Sequence, residues 1–471
     1  MKATGHSPAT APLWPILALL AAALWLWISW CRMPASSWND LRLAPVFMAA
    51  AGEPVYTLPG AGVLTTWMYG PVPLWLWSPA LLAQDAVSAV LVAGATNLLW
   101  TVGALLTVCL LWPCPDANRA DRLLAAALCV AVWPEPAFRF LQADNLVVAG
   151  GLVANLLLVR AGGRPLLLWG AAIATVVALG SKQTAVGLLL AQLVWLARTQ
   201  GLAAMRSHIG RIIAAGVPVV GVALIQFGPR ELWFGIVTVP AALPWVEDPL
   251  ARLTALAPIL AGQWLIPVLI VIALGRRLLA TNPVLTLGFA TFACTLPFDT
   301  AGLLSTGGST NNLHGFQLLT PPLLLALLGL ARRRGAAAPA LIAAAVVVTG
   351  GARIWEADHV PLAPATERML AADALIRAAP GELWLPWSPL VTWFAEGRFD
   401  HAEDGIYVRF ITGHPVALTH ARAHLPPRFG AMALPAGADW GVAEKLAGHP
   451  STESKTGGWR VVRWATPEPG R

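Results

Sequence analysis

Long apolar runs separated by short polar loops occupy residues 12–354 of the 471-residue chain. Most runs approach the roughly 20 residues that a membrane-spanning helix needs, which predicts a polytopic α-helical membrane protein with about 11 spans. The run from Pro165 to Ala197 would form a helix of about 50 Å, longer than a hydrocarbon core of about 30 Å. We therefore divide it into a hairpin with Lys182 at its tip. The predicted spans lie near residues 12–31, 86–112, 121–134, 145–159, 165–180, 184–197, 211–228, 251–275, 283–298, 313–331 and 336–354.

Two segments of the first long loop are predicted to lie in the outer membrane interface. Residues 39–51 have apolar side chains at helical spacing, which favours a surface helix that begins near Asp40. Residues 71–83 are apolar and rich in tryptophan, but they contain three prolines, and proline interrupts helices. Counting 71–83 as a span would also break the alternation of charge between successive loops. We interpret it as an interrupted interfacial helix.

Arginine is concentrated in alternate loops. By the positive-inside rule these loops are cytoplasmic, which places the N-terminus in the cytoplasm and the C-terminal residues outside. Most acids before residue 355 then fall on the outer side, where polar chemistry is expected. Abundant alanine and arginine are typical of a GC-rich bacterial genome, so we expect a bacterial inner membrane. The cytoplasmic set comprises Lys2, Arg119, Arg122, Arg160, Arg164, Arg198, Arg206, Arg211, Arg276, Arg277, Arg332, Arg333 and Arg334.

The composition agrees with a membrane protein and argues against nucleic-acid binding, a disulfide framework and a cysteine metal site. Hydrophobic residues make up 57% of the chain and charged residues 12%, whereas soluble domains are about 25% charged. The formal charge of +7 is carried largely by loop arginines, so it does not indicate nucleic-acid binding. All five cysteines lie in or beside apolar runs, which supports neither a disulfide framework nor a cysteine metal site. The first run is longer than a signal-peptide core and is expected to remain as an uncleaved span.

Residues 355–471 have ordinary charge density and are predicted to form a small extracytoplasmic α/β domain after the transmembrane domain, residues 1–354. "ATERMLAADALIRAA" and "WGVAEKLAG" have the pattern of helices, and "GELWLPW", "GAMALP" and "WRVVRW" that of short strands. "HARAH" places two imidazoles close together, but no third ligand has a clear spacing, so surface histidines are favoured over a metal site. "WFAEGRFDHAEDGIYVRF" has the aromatic and acidic composition of a sugar-binding surface and equally that of an ordinary domain edge.

Lys182 is the only lysine between Lys2 and Lys445. A lysine at the bilayer centre costs about 2.5–3.5 kcal/mol, so it needs access to water or a function. One interpretation is an interfacial cation that extends toward lipid phosphates. The other is a residue that binds a specific anion. Lys182 alone does not distinguish between the two.

Other outer loops place polar residues at helix starts. Asp40 follows the first span and Asp144 precedes a later one, and each acid by itself is consistent with helix capping. "STGGSTNNLHGF" brings two asparagines and a histidine into a predicted span, where an unsatisfied amide costs several kcal/mol. Because an acid, a base and amide-rich helix starts meet the same membrane face, together they favour a functional site.

A membrane face with these side chains supports few kinds of reaction. A carboxylate can remove a proton from a hydroxyl group. A cation at headgroup depth can bind a lipid phosphate and stabilise it as a leaving group. These two groups suffice to transfer a sugar from a lipid-phosphate donor to an acceptor hydroxyl.

The order of the motifs resembles the GT-C superfamily of membrane glycosyltransferases, especially its ArnT-like and protein mannosyltransferase-like bacterial members. The motifs are an acid after the first span, "GEPVY", "YGPVPLWLWSPALL", "LQADN", "GSKQTA" and "GGSTNNLHGFQLL". The resemblance covers the membrane region to about residue 335. It implies a polyprenyl-phosphate-linked sugar donor and a glycan or glycolipid acceptor in the cell envelope.

The resemblance also implies roles for individual residues. Asp40 matches the first-loop acid of the superfamily and would be the catalytic base. Lys182 would bind the donor phosphate, with Arg42 and Arg139 as helpers. The residues expected to contact or orient substrate are Tyr69, Gln142, Asp144, Asn311, Asn312 and His314.

Many members of the superfamily carry two acids in the first loop, whereas Asp40 lies between Asn39 and Leu41. We therefore expect that neither a metal ion nor another cofactor is required. If Asp40 only deprotonates the acceptor, no covalent intermediate forms and the transfer inverts the anomeric centre.

A transporter or flippase of lipid-linked saccharides is the main alternative. Transporters place ionisable residues at mid-membrane and often contain inverted repeats, and neither feature is found in the sequence. A polysaccharide polymerase or ligase is the nearest enzymatic alternative. Its large outer loop usually lies late in the chain, whereas the long outer loop here is the first one.

Overall fold

In the computed structural model, residues 13–65, 67–261, 266–334, 363–435 and 450–464 are described, with scattered positions between 436 and 449. The principal helices of the membrane region are α1 (Leu13–Cys31), α2 (Ser37–Ala51), α3 (Ala86–Leu111), α4 (Arg119–Val132), α5 (Ala143–Arg160), α6 (Pro165–Ser181), α7 (Val186–Gln200), α8 (Leu202–Phe227), α9 (Ile266–Thr281), α10 (Leu285–Leu304) and α11 (His314–Arg334). Shorter helices are Val72–Leu76, Pro136–Arg139, Pro229–Trp233, Val239–Ala241, Pro249–Ala255 and Ala257–Leu260, with helical turns at Met33–Ala35, Ser78–Leu82, Gln183–Ala185, Phe234–Thr238 and Thr310–Asn312.

Six regions of the described chain, containing α1, α3, α5, α8, α10 and α11, are helical, long and apolar enough to cross a membrane. The predicted spans at 121–134, 165–180 and 184–197 form the shorter helices α4, α6 and α7, of 14, 17 and 15 residues. The predicted span at 336–354 lies outside the described residues.

The predicted span at 251–275 is described only in part, because residues 262–265 lie outside the described residues. The chain there forms Pro249–Ala255, Ala257–Leu260 and then α9. Pro258 lies in the first turn of the second helix, and a proline has no N–H group to continue the hydrogen bonding of the helix before it.

The predicted hairpin at 165–197 is confirmed as α6 and α7. Lys182 ends α6 in an extended conformation and leads into the turn Gln183–Ala185. The first loop contacts this tip closely, because the Gly70 N–H donates to the Ser181 carbonyl at 3.0 Å. A Cβ atom on Gly70 would lie 2.0 Å from the Gly180 carbonyl oxygen, so only glycine permits the approach.

The two first-loop segments that were predicted to be interfacial have the predicted secondary structure. α2 covers residues 37–51 and ends at Gly52 in the left-handed conformation (φ 78°). Residues 71–83 form the helix Val72–Leu76 followed by the 3₁₀ turn Ser78–Leu82, with Pro79 at the start of the turn. Proline therefore interrupts the segment before it can become a span.

The C-terminal residues combine helices with a four-stranded sheet of order β1-β2-β4-β3, in which β1 and β2 are parallel and the other pairs antiparallel. The predicted helix at "ATERMLAADALIRAA" and the three predicted strands are present. β3 was not predicted, because its five residues are all exposed and have no apolar alternation. Most of "WGVAEKLAG" lies outside the described residues. The elements are α12 (Glu367–Ala378), β1 (Leu383–Trp384), α13 (Pro389–Glu396), α14 (Glu403–Ile411), α15 (Leu418–Ala423), β2 (Ala431–Pro435), β3 (Thr452–Thr456) and β4 (Trp459–Arg463).

The C-terminal elements pack on the first loop. The Ala365 N–H donates to the Cys31 carbonyl at 2.7 Å, and the rings of Phe47 and Phe394 meet edge to face with centroids 5.3 Å apart. One apolar cluster combines side chains of α2, α12 and α13. The C-terminal segment and the first loop therefore share one core.

Candidate active site

A cavity of about 1080 Å³ lies where the first loop, the α6–α7 tip, residues 236–243, residues 298–312 and α14 meet. Its walls are largely apolar with a small number of polar groups, as is usual for small-molecule sites. The polar, charged and larger aromatic side chains that line it are Trp38, Arg42, Trp67, Tyr69, Phe140, Gln142, Lys182, Gln183, Thr184, Phe298, Ser305, Thr306, Ser309, Asn311, Asn312, Asp404 and Tyr407.

Lys182 is held at the cavity by two acceptors. Its ammonium donates to Asp144 Oδ1 and to Asn312 Oδ1, both at 2.7 Å, and it lies 5.6 Å from the centre of the Tyr69 ring. The Lys182 side chain is 11% exposed and that of Asp144 2%. An ammonium has three N–H donors, so two acceptors among the described residues leave one donor for a ligand.

Asp144 connects Lys182 to a second acid. Asn311 Nδ2 donates to Asp144 Oδ2 at 2.9 Å, and His314 Nε2 lies 2.7 Å from Asp144 Oδ1. His314 Nδ1 is 3.8 Å from Asp299 Oδ1, and the Gly315 N–H donates to Asp299 Oδ2 at 2.9 Å. The hairpin tip, the start of α5 and the start of α11 thus meet in one buried polar network.

This network goes beyond helix capping. α5 begins at Ala143, and its N-cap residue Gln142 makes no side-chain capping bond. The Asp144 carboxylate, one residue into the helix, instead binds Lys182, Asn311 and His314. Breaking a buried ion pair is costly unless both charges keep partners, so these contacts keep Lys182 in position.

The two arginines expected as helpers of Lys182 lie in different places. Arg42 lines the cavity, where its guanidinium donates to the Leu141 carbonyl at 3.2 Å and lies 5.5 Å from the Trp38 ring. Arg139 is not brought to the cavity. It pairs with Glu135 at 2.8 Å, because the two residues are four apart on one helical turn.

The structure does not bring Asp40 to the cavity either. Asp40 is 1% exposed, and its Oδ1 accepts the Leu390 N–H at 2.8 Å, so its carboxyl group caps α13 rather than its own helix. Burial raises the pKa of Asp40 to about 8. Leu41 and Arg42, the next residues of α2, do line the cavity, because successive helical residues point about 100° apart.

Sequence reasoning missed two side chains that α14 contributes. Asp404 and Tyr407 are three residues apart, so they share one face of the helix, and both line the cavity. The only signal in the sequence was the aromatic and acidic composition of "WFAEGRFDHAEDGIYVRF". Which of its residues face the cavity depends on how α14 docks against the first loop.

The C-terminal histidines form a cluster without the geometry of a metal site. The rings of His401, His420 and His424 lie 4.9–5.5 Å apart. His401 Nδ1 accepts the Leu64 N–H at 2.9 Å, and burial lowers the pKa of His401 to about 3. Among the residues that the structure describes, no group of three or more His, Cys, Asp or Glu side chains is arranged to hold a metal ion.

No protein-family model matches the chain, and no curated protein matches its sequence. Solved structures do match. ArnT from Cupriavidus metallidurans bound to undecaprenyl phosphate is similar with a TM-score of 0.58 and 12% identity, over 95% of this chain and 97% of that one. ArnT in the apo state gives a TM-score of 0.55 and 15% identity over the same shares.

A third structure, the arabinosyltransferase EmbB from Mycobacterium smegmatis, covers 70% of this chain and 31% of its own at 13% identity. Its TM-score of 0.44 is too low to support an argument. The likeness to ArnT at this level of identity establishes the fold. The chain therefore has the fold of ArnT, in agreement with the ArnT-like fold that the sequence motifs indicated.

Proposed function

We propose that the protein is a membrane glycosyltransferase that moves a hexose or pentose from a polyprenyl-phosphate-linked donor to a hydroxyl group of a cell-envelope glycan or glycolipid. The observation that carries the proposal is the Lys182 ammonium, fixed by Asp144 and Asn312 at a large apolar cavity. The ArnT structure of similar fold was bound to undecaprenyl phosphate, which supports the same class of lipid here.

The donor phosphate is proposed to bind at Lys182. The ammonium keeps one N–H donor for a phosphate oxygen, and charge-assisted bonds of this kind are about twice as strong as neutral ones. Arg42 and the amides of Asn311 and Gln142 line the same cavity and add polar contacts for phosphate or sugar, beside the Tyr69 ring. The polyprenyl chain is proposed to follow the apolar residues of the wall, Ile236, Val237, Pro240, Leu243 and Phe298.

The site is proposed to face the periplasmic side of a bacterial inner membrane. α5 and α11 carry Asp144 and His314 in their first turns and Arg160 and Arg332 at their last turns. The site and the arginines therefore occupy opposite ends of the same helices. By the positive-inside rule the arginine end is cytoplasmic, which places the cavity and the C-terminal elements outside.

Catalysis is proposed to proceed by a single displacement. The acceptor oxygen attacks the anomeric carbon while the bond to the phosphate oxygen breaks, and the configuration inverts. Lys182 balances the negative charge that develops on the leaving phosphate, which is how preorganised cations lower such barriers. The mechanism requires no metal ion, because the ammonium supplies the positive charge.

Mass spectrometry of envelope glycans from a deletion strain tests the proposal. The strain is complemented with wild type, Lys182→Met or Arg198→Met at matched protein levels. Arg198 is an exposed arginine at the end of α7 and serves as a matched cation control. Wild type and Arg198→Met should restore a sugar modification that Lys182→Met does not. A deletion that changes no glycan would contradict the proposed glycosyl transfer.

A further inference from the structure

We infer that Gln183 is a positioning residue for the donor lipid: its side-chain amide holds the apolar wall of the cavity at a fixed place beside Lys182. The phosphate of the donor and its first isoprenoid units are covalently joined. A site that binds both must therefore fix the cation and the wall relative to each other. The inference rests on the proposed function, because it concerns how that same lipid is recognised.

Gln183 connects the hairpin tip to two other segments. It follows Lys182 directly and begins the turn Gln183–Ala185. Its side-chain NH₂ group donates to the Met68 carbonyl at 3.2 Å and to the Ile236 carbonyl at 2.8 Å. A side-chain amide has two N–H donors, and these two bonds use both. Gln183 thus ties the first loop and residue 236 to the turn that carries Lys182.

The Ile236 carbonyl needs a donor from outside its own helix. Ile236 belongs to the π-helical turn Phe234–Thr238. In an α-helix this carbonyl would accept the N–H of residue 240, but residue 240 is a proline and has no N–H group. Backbone carbonyls that are shielded from water require a partner. The sequence of the turn therefore explains why a side chain from the hairpin tip donates to it.

The same turn packs closely on the first loop. A Cβ atom on Gly235 would lie 2.4 Å from the ring of Tyr56, so a larger residue there would displace the ring or the turn. The Tyr56 hydroxyl donates to the Tyr69 carbonyl at 2.8 Å, and the Tyr69 ring lies 5.6 Å from the Lys182 ammonium. The turn, the first loop and the lysine thus form one connected wall, and Gln183 joins its two ends.

The wall that Gln183 holds suits an isoprenoid chain. Ile236, Val237 and Pro240 line the cavity together with Gln183. An apolar chain is stabilised where such side chains remove it from water. Because the Gln183 amide is uncharged, it holds the wall without competing with a phosphate for the Lys182 ammonium. The first isoprenoid units are expected to bind against this wall.

The test measures how much a longer isoprenoid chain improves binding. Purified full-length protein in detergent is titrated with dimethylallyl phosphate and with farnesyl phosphate, which share the phosphate and differ in chain length. Wild type should prefer farnesyl phosphate. Gln183→Met keeps the length of the side chain but removes two hydrogen bonds, so the ratio of the two affinities should fall about fivefold or more. Binding of dimethylallyl phosphate should remain close to that of wild type.

Two variants serve as controls. Gln192 is a buried glutamine of the same hairpin that hydrogen-bonds to Thr175 and Asn155 and does not line the cavity. Gln192→Met should lower stability and leave the ratio of affinities unchanged. Lys182→Met should weaken binding of both phosphates by the same factor, because both carry the group that Lys182 is proposed to bind, so it also leaves the ratio unchanged.

The outcomes separate the inference from the proposed function. An unchanged ratio in Gln183→Met overturns the inference, and so does an equal fall in Gln192→Met, which would trace the effect to general destabilisation. If Gln183→Met does not fold, Gly235→Ala displaces the same wall from the side of the first loop, and an unchanged ratio in that variant overturns the inference. Equal affinities of wild type for the two phosphates would also overturn it. Failure of wild type to bind either phosphate would contradict the proposed function as well.

Discussion

The Lys182 ammonium donates to the Asp144 carboxylate at 2.7 Å, although 38 residues separate them in the chain. His314 lies 2.7 Å from the same carboxylate oxygen. The ion pair between Lys182 and Asp144 explains how an isolated lysine is tolerated in an apolar run. Asp144 balances the charge of Lys182 within the protein, and the Lys182 side chain also lines the cavity. An unpaired lysine at this depth would be costly.

Replacing Lys182 should weaken lipid-phosphate binding. A hydrogen bond to a charged group contributes about 1.5–3 kcal/mol, so Lys182→Met should weaken binding of undecaprenyl phosphate about 10- to 150-fold. Titration of the purified protein with the lipid measures the change. Arg198→Met is the control, and equal weakening in both variants would mean that Lys182 contributes only nonspecific charge.

Removing the partner of Lys182 should destabilise the protein. Asp144→Asn leaves the ammonium without a countercharge in a buried position, and breaking such a pair costs about 3–5 kcal/mol. The apparent melting temperature in detergent should fall. The double variant Lys182→Met with Asp144→Asn should recover most of the stability without regaining lipid binding. No recovery in the double variant would show that Asp144 stabilises through Asn311 and His314 rather than through the ion pair.

Asp40 should make stability depend on pH. Its folded pKa of about 8 exceeds the unfolded value of about 3.9, so the folded state binds the additional proton between these values. Stability from this group is complete below about pH 4 and is lost as pH rises toward 8. Asp400 and His401, with folded pKa values of about 6 and 3, contribute mainly below pH 6.5.

The interval from pH 6.5 to 8.5 therefore isolates Asp40. The apparent melting temperature of wild type should fall across this interval, and that of Asp40→Asn should fall less. The Asn oxygen can still accept the Leu390 N–H, so the cap itself is kept. Parallel curves for the two proteins would contradict a buried, protonated Asp40.

Gly405 should determine how closely α14 packs on the first loop beside the cavity. The Cβ atom of Gly405→Ala would lie 3.0 Å from the Leu64 carbonyl oxygen, so α14 must shift away from the first loop. Glycan transfer by membranes of the complemented deletion strain should fall about tenfold or more, because α14 forms one wall of the cavity and small displacements of groups that position a substrate are costly, while undecaprenyl phosphate binding is retained. In the control Gly430→Ala the nearest atom is 3.7 Å away, and its rate should be unchanged. Equal transfer rates in Gly405→Ala and Gly430→Ala would mean that the contact between residue 405 and Leu64 does not affect the transfer rate.

Much of the membrane region was predictable because its signals are local. The length of the run around Lys182 required a hairpin, and α6 and α7 form it. The expectation that polar residues meet at one face also holds for Asp144, Asn311, Asn312 and His314, which join Lys182 in one network. By contrast, the sequence pattern at 251–275 gave no sign that the helix is interrupted between Ala255 and Ala257, just before Pro258.

The sequence by itself determined which segments are apolar enough to be helices, where prolines interrupt them, and that an acid, a lysine and two asparagines lie at helix starts. Such properties depend on composition and on spacing over a few residues. Only the tertiary structure decided that Asp40 caps α13, that Arg139 pairs with Glu135, and that Asp404 faces the cavity. Those outcomes depend on the direction in which a helix presents each side chain to segments that are distant in the chain. Successive helical residues point about 100° apart, so Asp40 can cap α13 while the next residue, Leu41, lines the cavity.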